Sequence, residues 1–144
     1  MKIATNKVIA YWNHLEKIDA SQQNKSTQLF VKIHKKATED EEKYLQQIDE
    51  PRERSFHSAG IAILPEHRGN NIGLTLRLKQ IETCKEKKAT TLFCETTNFF
   101  SAATVEKTNF VKLATYPYKD LAVELSHPDL NKLNDSFSVW CRKV

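Results

Sequence analysis

Ile61-Ala62-Ile63-Leu64-Pro65-Glu66-His67-Arg68-Gly69-Asn70-Asn71-Ile72-Gly73 leads straight into Leu74-Thr75-Leu76-Arg77-Leu78-Lys79-Gln80-Ile81. The first four residues are β-prone, the last eight helix-like, and the turn between them carries two of the only three glycines in 144 residues. Ordinary usage of about 7% would give about ten glycines, so those that remain mark places where a side chain does not fit. A strand that breaks through a Gly/Asn turn into a helix leaves backbone N–H groups unpaired, with the positive end of the helix dipole behind them. Such a turn is an anion site, most naturally for phosphate.

Outward from this turn, the spacing predicts a buried strand over Phe56–Leu64, a helix over Ile72 to about Lys87 and a second strand over Thr90–Thr96. Leu74, Leu78 and Ile81 share one helical face, and Lys85, Lys87 and Lys88 crowd the C-terminal end, where cations complement the dipole. A β-turn-α-β unit of this length implies parallel strands joined by a crossover. Downstream, a short helix over Ser101–Lys107, a strand over Phe110–Tyr118, a polar connection through His127-Pro128-Asp129 and a last strand over Asp135–Lys143 are expected. Upstream, Met1–Ala4 and Val8–Trp12 read as a short hairpin turning at Asn6-Lys7. Gln28–Lys36 suits either a strand or the start of a helix, and Glu39–Asp49 reads as a surface helix ending before Pro51.

One domain spanning residues 1–144 is expected, with 40% hydrophobic residues and 9% aromatics arguing against a disordered chain. The net charge of +4 is scattered among 18 acidic residues, without the basic stripe that a nucleic-acid partner requires. Cys84, Cys94 and Cys141 are odd in number and widely spaced, which suggests buried reduced thiols and neither a disulfide framework nor a zinc site. His34, His67 and His127 have no neighbour at ligand spacing, so no metal is expected. With no signal-like N-terminus and no apolar run long enough for a membrane span, the expectation is a cytoplasmic protein with no membrane partner.

The Ile63–Gly73 run, with a strand before it and a helix after it, resembles the acetyl-CoA loop of the GNAT superfamily of N-acetyltransferases. That family's pattern is Gln/Arg-x-x-Gly-x-Gly/Ala; Arg68 and Gly73 match it, and Asn71 replaces the first glycine. Asparagine tolerates left-handed backbone angles, so the turn survives the change. A second stretch, Asn98, Ser101, Glu106, Lys107 and Phe110, is similar to the family's Asn-x-x-Ala/Ser...Tyr-Glu-Lys-x-Gly-Phe segment. The long segment before Phe56, the pair Thr97 and Ser101, and Tyr116-Pro117-Tyr118-Lys119-Asp120 look similar to the arylalkylamine N-acetyltransferase-like branch. Two departures stand out: Val105 takes the place of the tyrosine that protonates the departing CoA thiolate, and Asn109 replaces a glycine.

The resemblance implies an α/β fold, a twisted mixed sheet of about five or six strands flanked by helices, with a shortened and elaborated part at 1–55 and an acetyl-CoA-binding core at 56–143. It implies acetyl-CoA as cosubstrate and a primary amine, of a small molecule or a protein, as acceptor. Ile63, Leu64, Arg68, Gly69, Asn70, Asn71, Ile72 and Gly73 would hold the cofactor, joined by Asn98 and Ser101. The candidate catalytic residues are His57 as base, Ser101 as relay or acceptor contact, and Tyr118 or Tyr116 as a substitute acid. Bland readings accompany each: Asn98 and Ser101 as helix caps, the tyrosines as packing residues, and His57 as a histidine at a strand start. A shortened N-terminal edge exposes strand groups and favours a homodimer. The competing expectation is a catalytically degenerate CoA-binding or structural module, motivated by Val105, Asn71 and Asn109.

Overall fold

The computed structural model describes residues 24–144, so the hairpin expected at Met1–Trp12 lies outside the described residues. The chain runs α1 (Lys25–Gln47), β1 (Ser55–Ser58), α2 (Ile72–Glu86), β2 (Thr91–Thr96), α3 (Phe99–Glu106), β3 (Val111–Pro117), α4 (Tyr118–Glu124) and β4 (Ser136–Lys143). Four strands form one sheet in the order β1-β2-β4-β3, against the five or six expected for the whole chain. β1 and β2 are parallel, whereas β2 with β4 and β4 with β3 are antiparallel.

Alternation along the central strands builds a core on each face of this sheet. Leu92, Cys94 and Trp140 point to one side, where Ile81 and Cys84 of α2 and Val105 of α3 cover them. Phe93, Val139 and Cys141 point to the other, under Ala37 and Leu45 of α1 and Leu121 of α4. Full burial of each large side chain contributes roughly 1.5–3 kcal/mol. The Trp140 indole N–H, inside the core, donates to Thr96 Oγ1 at 2.9 Å, which satisfies its one donor. All three cysteines are free and buried, as expected.

One open alternative is settled and three expectations need correction. Residues 28–47 belong to one helix, α1, started by Asn24, whose side chain accepts the Thr27 N–H at 2.9 Å. The strand expected over Phe56–Leu64 ends at Ser58, after which the chain turns away from β2 through Gly60 at φ 129. On α2 the buried positions are Arg77, Ile81 and Cys84, while Leu78 is 49% exposed; of the expected face Ile81 is buried, and Arg77 and Cys84 take the place of Leu78. Tyr118 does not end β3 but opens α4, a helix within the supposedly polar connection, with Pro117 as its N-cap and Tyr118, Leu121 and Ala122 buried.

Candidate active site

The turn between β1 and α2 has the conformation its glycines and asparagines allow. Gly69 sits at φ 80 and Asn71 at φ 57, ψ 14, the left-handed region. Asn71 is the N-cap of α2 yet makes no side-chain capping bond. The Arg68 N–H donates to the Pro65 carbonyl and the Thr75 N–H to the Asn71 carbonyl. Between them, Gly69 to Leu74 have no backbone acceptor among the described residues, at the start of a 15-residue helix. That is a ring of free donors with a positive dipole end behind it. Arg68 folds back over the turn, its Nε donating to the Ile63 carbonyl at 3.1 Å, and the Asn70 amide reaches the His67 carbonyl at 3.3 Å. A Cβ on Gly73 would meet Ile63 Cδ1 at 3.2 Å, so the helix start and the incoming segment press together there. Leu64 is 63% exposed beside the turn.

Sheet pairing between β1 and β2 stops at Ser58 opposite Cys94, while β2 continues through Glu95 and Thr96 against β4. The strand ends therefore part at this point. Beyond the end of β2, Asn98 caps α3: its Oδ1 accepts the Ser101 N–H at 2.9 Å, and Ser101 Oγ donates to the Asn98 carbonyl at 2.8 Å. The Tyr118 hydroxyl donates to the Thr97 carbonyl at 2.8 Å, and burial, then Asp135, pushes its pKa up. Tyr116 donates to Asp40 Oδ2 at 2.5 Å and is held above its ordinary range by burial and by that carboxylate. Val105 is 1% exposed; it has no proton to give. A cleft of about 220 Å³ along α3 includes Asn98 and Asp135 in its lining but none of residues 61–73, and is separate from the turn.

His57 carries the densest electrostatics. Its Nε2 lies 2.9 Å from Glu95 Oε2 and 3.2 Å from Glu41 Oε1, with all three side chains under 10% exposed. His34 Nδ1 faces the other oxygen of Glu95 at 3.1 Å, and Arg52 reaches Glu41 at 2.8 Å. Burial pulls the His57 pKa down, but the Glu95 and Glu41 carboxylates outweigh it and lift it to about 9. Burial works against Glu95 ionising too, yet His57 and His34 bring it down to about 2. At neutral pH this is an imidazolium clamped between two carboxylates. Glu41, His57 and Glu95 place their ligand atoms within 4.8 Å of one another; the Arg52 and His57 cations already balance the two carboxylate charges.

A buried cation lies on the opposite face of the sheet. Arg77 is 5% exposed; its Nη1 donates to Gln80 Oε1 at 2.9 Å, its guanidinium stands 5.5 Å from the Phe110 ring centroid, and its Nε has no partner among the described residues. The same Gln80 oxygen accepts from Ser58 Oγ at 3.2 Å.

The structure thus brings Ile63, Leu64 and Arg68 to Gly73 into one turn, and groups Thr97, Asn98, Ser101 and Tyr118 at the end of β2. His57 is separate from both, inside the charge cluster on the α1 face. Sequence reading missed Glu41, Arg52, His34, Glu95 and Arg77. The one available signal was a glutamate on the apolar stripe of α1 at Glu41, where a buried carboxylate demands a partner.

No protein-family model matches the chain, and no curated protein does. Solved structures do match. An agmatine N-acetyltransferase in its apo form aligns with a TM-score of 0.69 at 14% identity, over 93% of this chain and 65% of its own. A mosquito arylalkylamine N-acetyltransferase-like 5b aligns at 0.63 and 14% identity, over 92% and 62%. An insect protein of the yellow fever mosquito, assigned as arylalkylamine N-acetyltransferase 7, aligns at 0.55 and 15%, over 62% and 38%. The chain spans 65% or less of the length of each. Likeness at this identity is likeness of architecture: the chain has the fold of the GNAT N-acetyltransferases.

Proposed function

We propose that the protein is an acetyl-CoA-dependent N-acetyltransferase that moves an acetyl group to a primary amine. The observation that carries this reading is the turn itself: free N–H groups from Gly69 to Leu74 around a left-handed Asn71, at the helix start where a diphosphate is best stabilised. The parting of β1 from β2 after Ser58 supports it, because an extended pantetheine arm has strand-like groups to offer at such an opening. Arg68 then screens phosphate charge, Ile63 and Leu64 flank the arm, and Asn98 and Ser101 meet it from the cap of α3.

The acceptor amine must lose a proton to attack. His57, with its pKa near 9, is matched to an ammonium of similar acidity and serves as the base through its minor neutral form. Tyr118 and Ser101, hydrogen-bonded to the carbonyls of Thr97 and Asn98 beside the cap of α3, are further proton carriers. Binding and alignment supply the largest share of the rate.

The test is a thiol-release assay with acetyl-CoA across a panel of primary amines, run beside calorimetric titration with acetyl-CoA. Release of CoA thiol that depends on an amine is the expected result; absence of acetyl-CoA binding would refute the reading. Val105, buried where a proton donor is expected, favours one alternative: a module that binds CoA without turning over. Tight binding with no thiol release across the panel selects it.

A further inference from the structure

A guanidinium in a protein interior needs an anion, because an unpaired buried charge is far costlier than an exposed one. Arg77 is 5% exposed and forms no ion pair among the described residues. Among the described residues, its one polar partner is the neutral oxygen of Gln80; it leans on the Phe110 ring, and Nε finds no acceptor there. Among the described residues, the fold keeps a charged, donor-rich group in its core with no carboxylate in ion-pair range.

Its position relates it to the place where β1 and β2 part. Gln80 Oε1 ties the guanidinium to Ser58 Oγ, and Ser58 is the last β1 residue paired with β2. Across from Ser58 sits Cys94, whose sulfur feels the field of Arg77 as an opposing, lowering influence against a burial that pushes the thiol up to about 12. The cation therefore lies at the depth where the strands part, on the face covered by α2 and α3, rather than at the exposed turn at the start of α2. Gln80 from its own helix and Phe110 from the segment before β3 touch it, and Ser58 reaches it through Gln80; no carboxylate among the described residues forms an ion pair with it. Val105, on the same face of the sheet, supplies no acid.

Resting on the acetyltransferase reading above, we infer that Arg77 is the cation that stabilises the departing CoA thiolate, in place of a proton donor. The amine nitrogen forms the C–N bond to the acetyl carbon; the C–S bond breaks and its electron pair stays on sulfur. The nitrogen sheds one proton to the base, and the thiolate, held against Arg77, takes a proton from solvent as it leaves. Acetyl-CoA and amine thus become amide and CoA thiol.

The thiol of bound CoA reports this directly, without turnover. Its ionisation is followed by ultraviolet absorbance of the thiolate across pH, with a desulfo-CoA complex as the blank; Cys84 and Cys94, pushed to about 11 and about 12, stay silent through neutral pH. An opposite charge within contact range moves a pKa by about one to three units, so bound CoA is expected to ionise at least about one unit below free CoA in the wild-type protein. Arg77→Gln should return it to the free value and Arg77→Lys should keep part of the shift. A thiol in the wild-type complex that ionises at or above the value of free CoA overturns the assignment, whether or not the variants fold. If CoA does not bind the wild-type protein at all, the acetyltransferase reading falls and this assignment with it, a result distinct from binding with an unshifted thiol.

Discussion

His57 Nε2 on β1 lies 2.9 Å from Glu95 Oε2 on β2, with Glu41 Oε1 from α1 at 3.2 Å. One buried ring therefore links two strands and a helix through its charge. Because that charge persists to about pH 9, the relationship bears on the stability of the α1 face and on the proposed chemistry.

In the proposed reaction the neutral His57 imidazole is the base, and its fraction grows about tenfold per pH unit below its pKa. The expected kcat/KM with a primary amine rises through neutral pH with unit slope and bends near 9. Glu95→Gln removes the nearer carboxylate, so the bend should move toward neutral pH. A flat profile in the wild-type protein would retire His57 as base.

For stability, the signs differ between the partners. The folded pKa of His57 is raised from 6.5 to about 9, so its contribution is full below 6.5 and is lost as pH rises through 9. The folded pKa of Glu95 is lowered from 4.5 to about 2, so its contribution is present above 4.5 and is lost as pH falls through 2. Thermal midpoints should be highest between about 4.5 and 6.5. His57→Leu should flatten the alkaline limb, and Glu41→Ala, which takes one of two carboxylates from the buried His57 cation and leaves the half-exposed Arg52 with Glu42, should lower the thermal midpoint. Equal slopes in wild type and His57→Leu would contradict the assignment.

Asn71 at φ 57 makes a prediction independent of His57. Glycine accepts this angle and valine resists it, at roughly 1–2 kcal/mol. Asn71→Gly should leave the thermal midpoint and acetyl-CoA affinity close to wild type, whereas Asn71→Val should lower both. Unchanged affinity in a folded Asn71→Val protein would show that the turn does not hold the cofactor.

Gly73 tests the same turn by bulk. Its Cβ space is already shared with Ile63 Cδ1 at 3.2 Å. Gly73→Trp should abolish measurable acetyl-CoA binding in calorimetry while far-ultraviolet circular dichroism stays helical. Wild-type affinity in that variant would place the cofactor elsewhere.

Much of the fold is legible in local patterns. The strand-turn-helix over β1 and α2, the central β2 and β4, and the left-handed Asn71 all follow from residues close in sequence, where propensity and geometry agree. The elements read less well are those that tertiary context decides. On α1 the stripe Leu29, Ile33, Ala37 and Leu45 is continuous only once Glu41 is allowed inside, and a buried carboxylate makes sense only beside His57 and Arg52. In α4, Tyr118, Leu121, Ala122 and Leu125 have helical spacing, but the short run lies between Pro117 and Pro128 and reads as connection. β1 reads too long because the apolar run continues past the point where its pairing stops. The cluster around Glu95 and the lone Arg77 are assembled from distant segments, so no spacing rule announces them.

The central claim is that the free N–H groups after Arg68 grip the diphosphate of acetyl-CoA, and an amide chemical-shift titration reads those groups individually. On adding acetyl-CoA, the amide resonances of Gly69, Asn70, Asn71, Ile72, Gly73 and Leu74 should show the largest shifts, and 3′-dephospho-CoA should reproduce them because it keeps the diphosphate. A titration in which these amides stay still while acetyl-CoA binds, or in which it does not bind at all, would contradict the account.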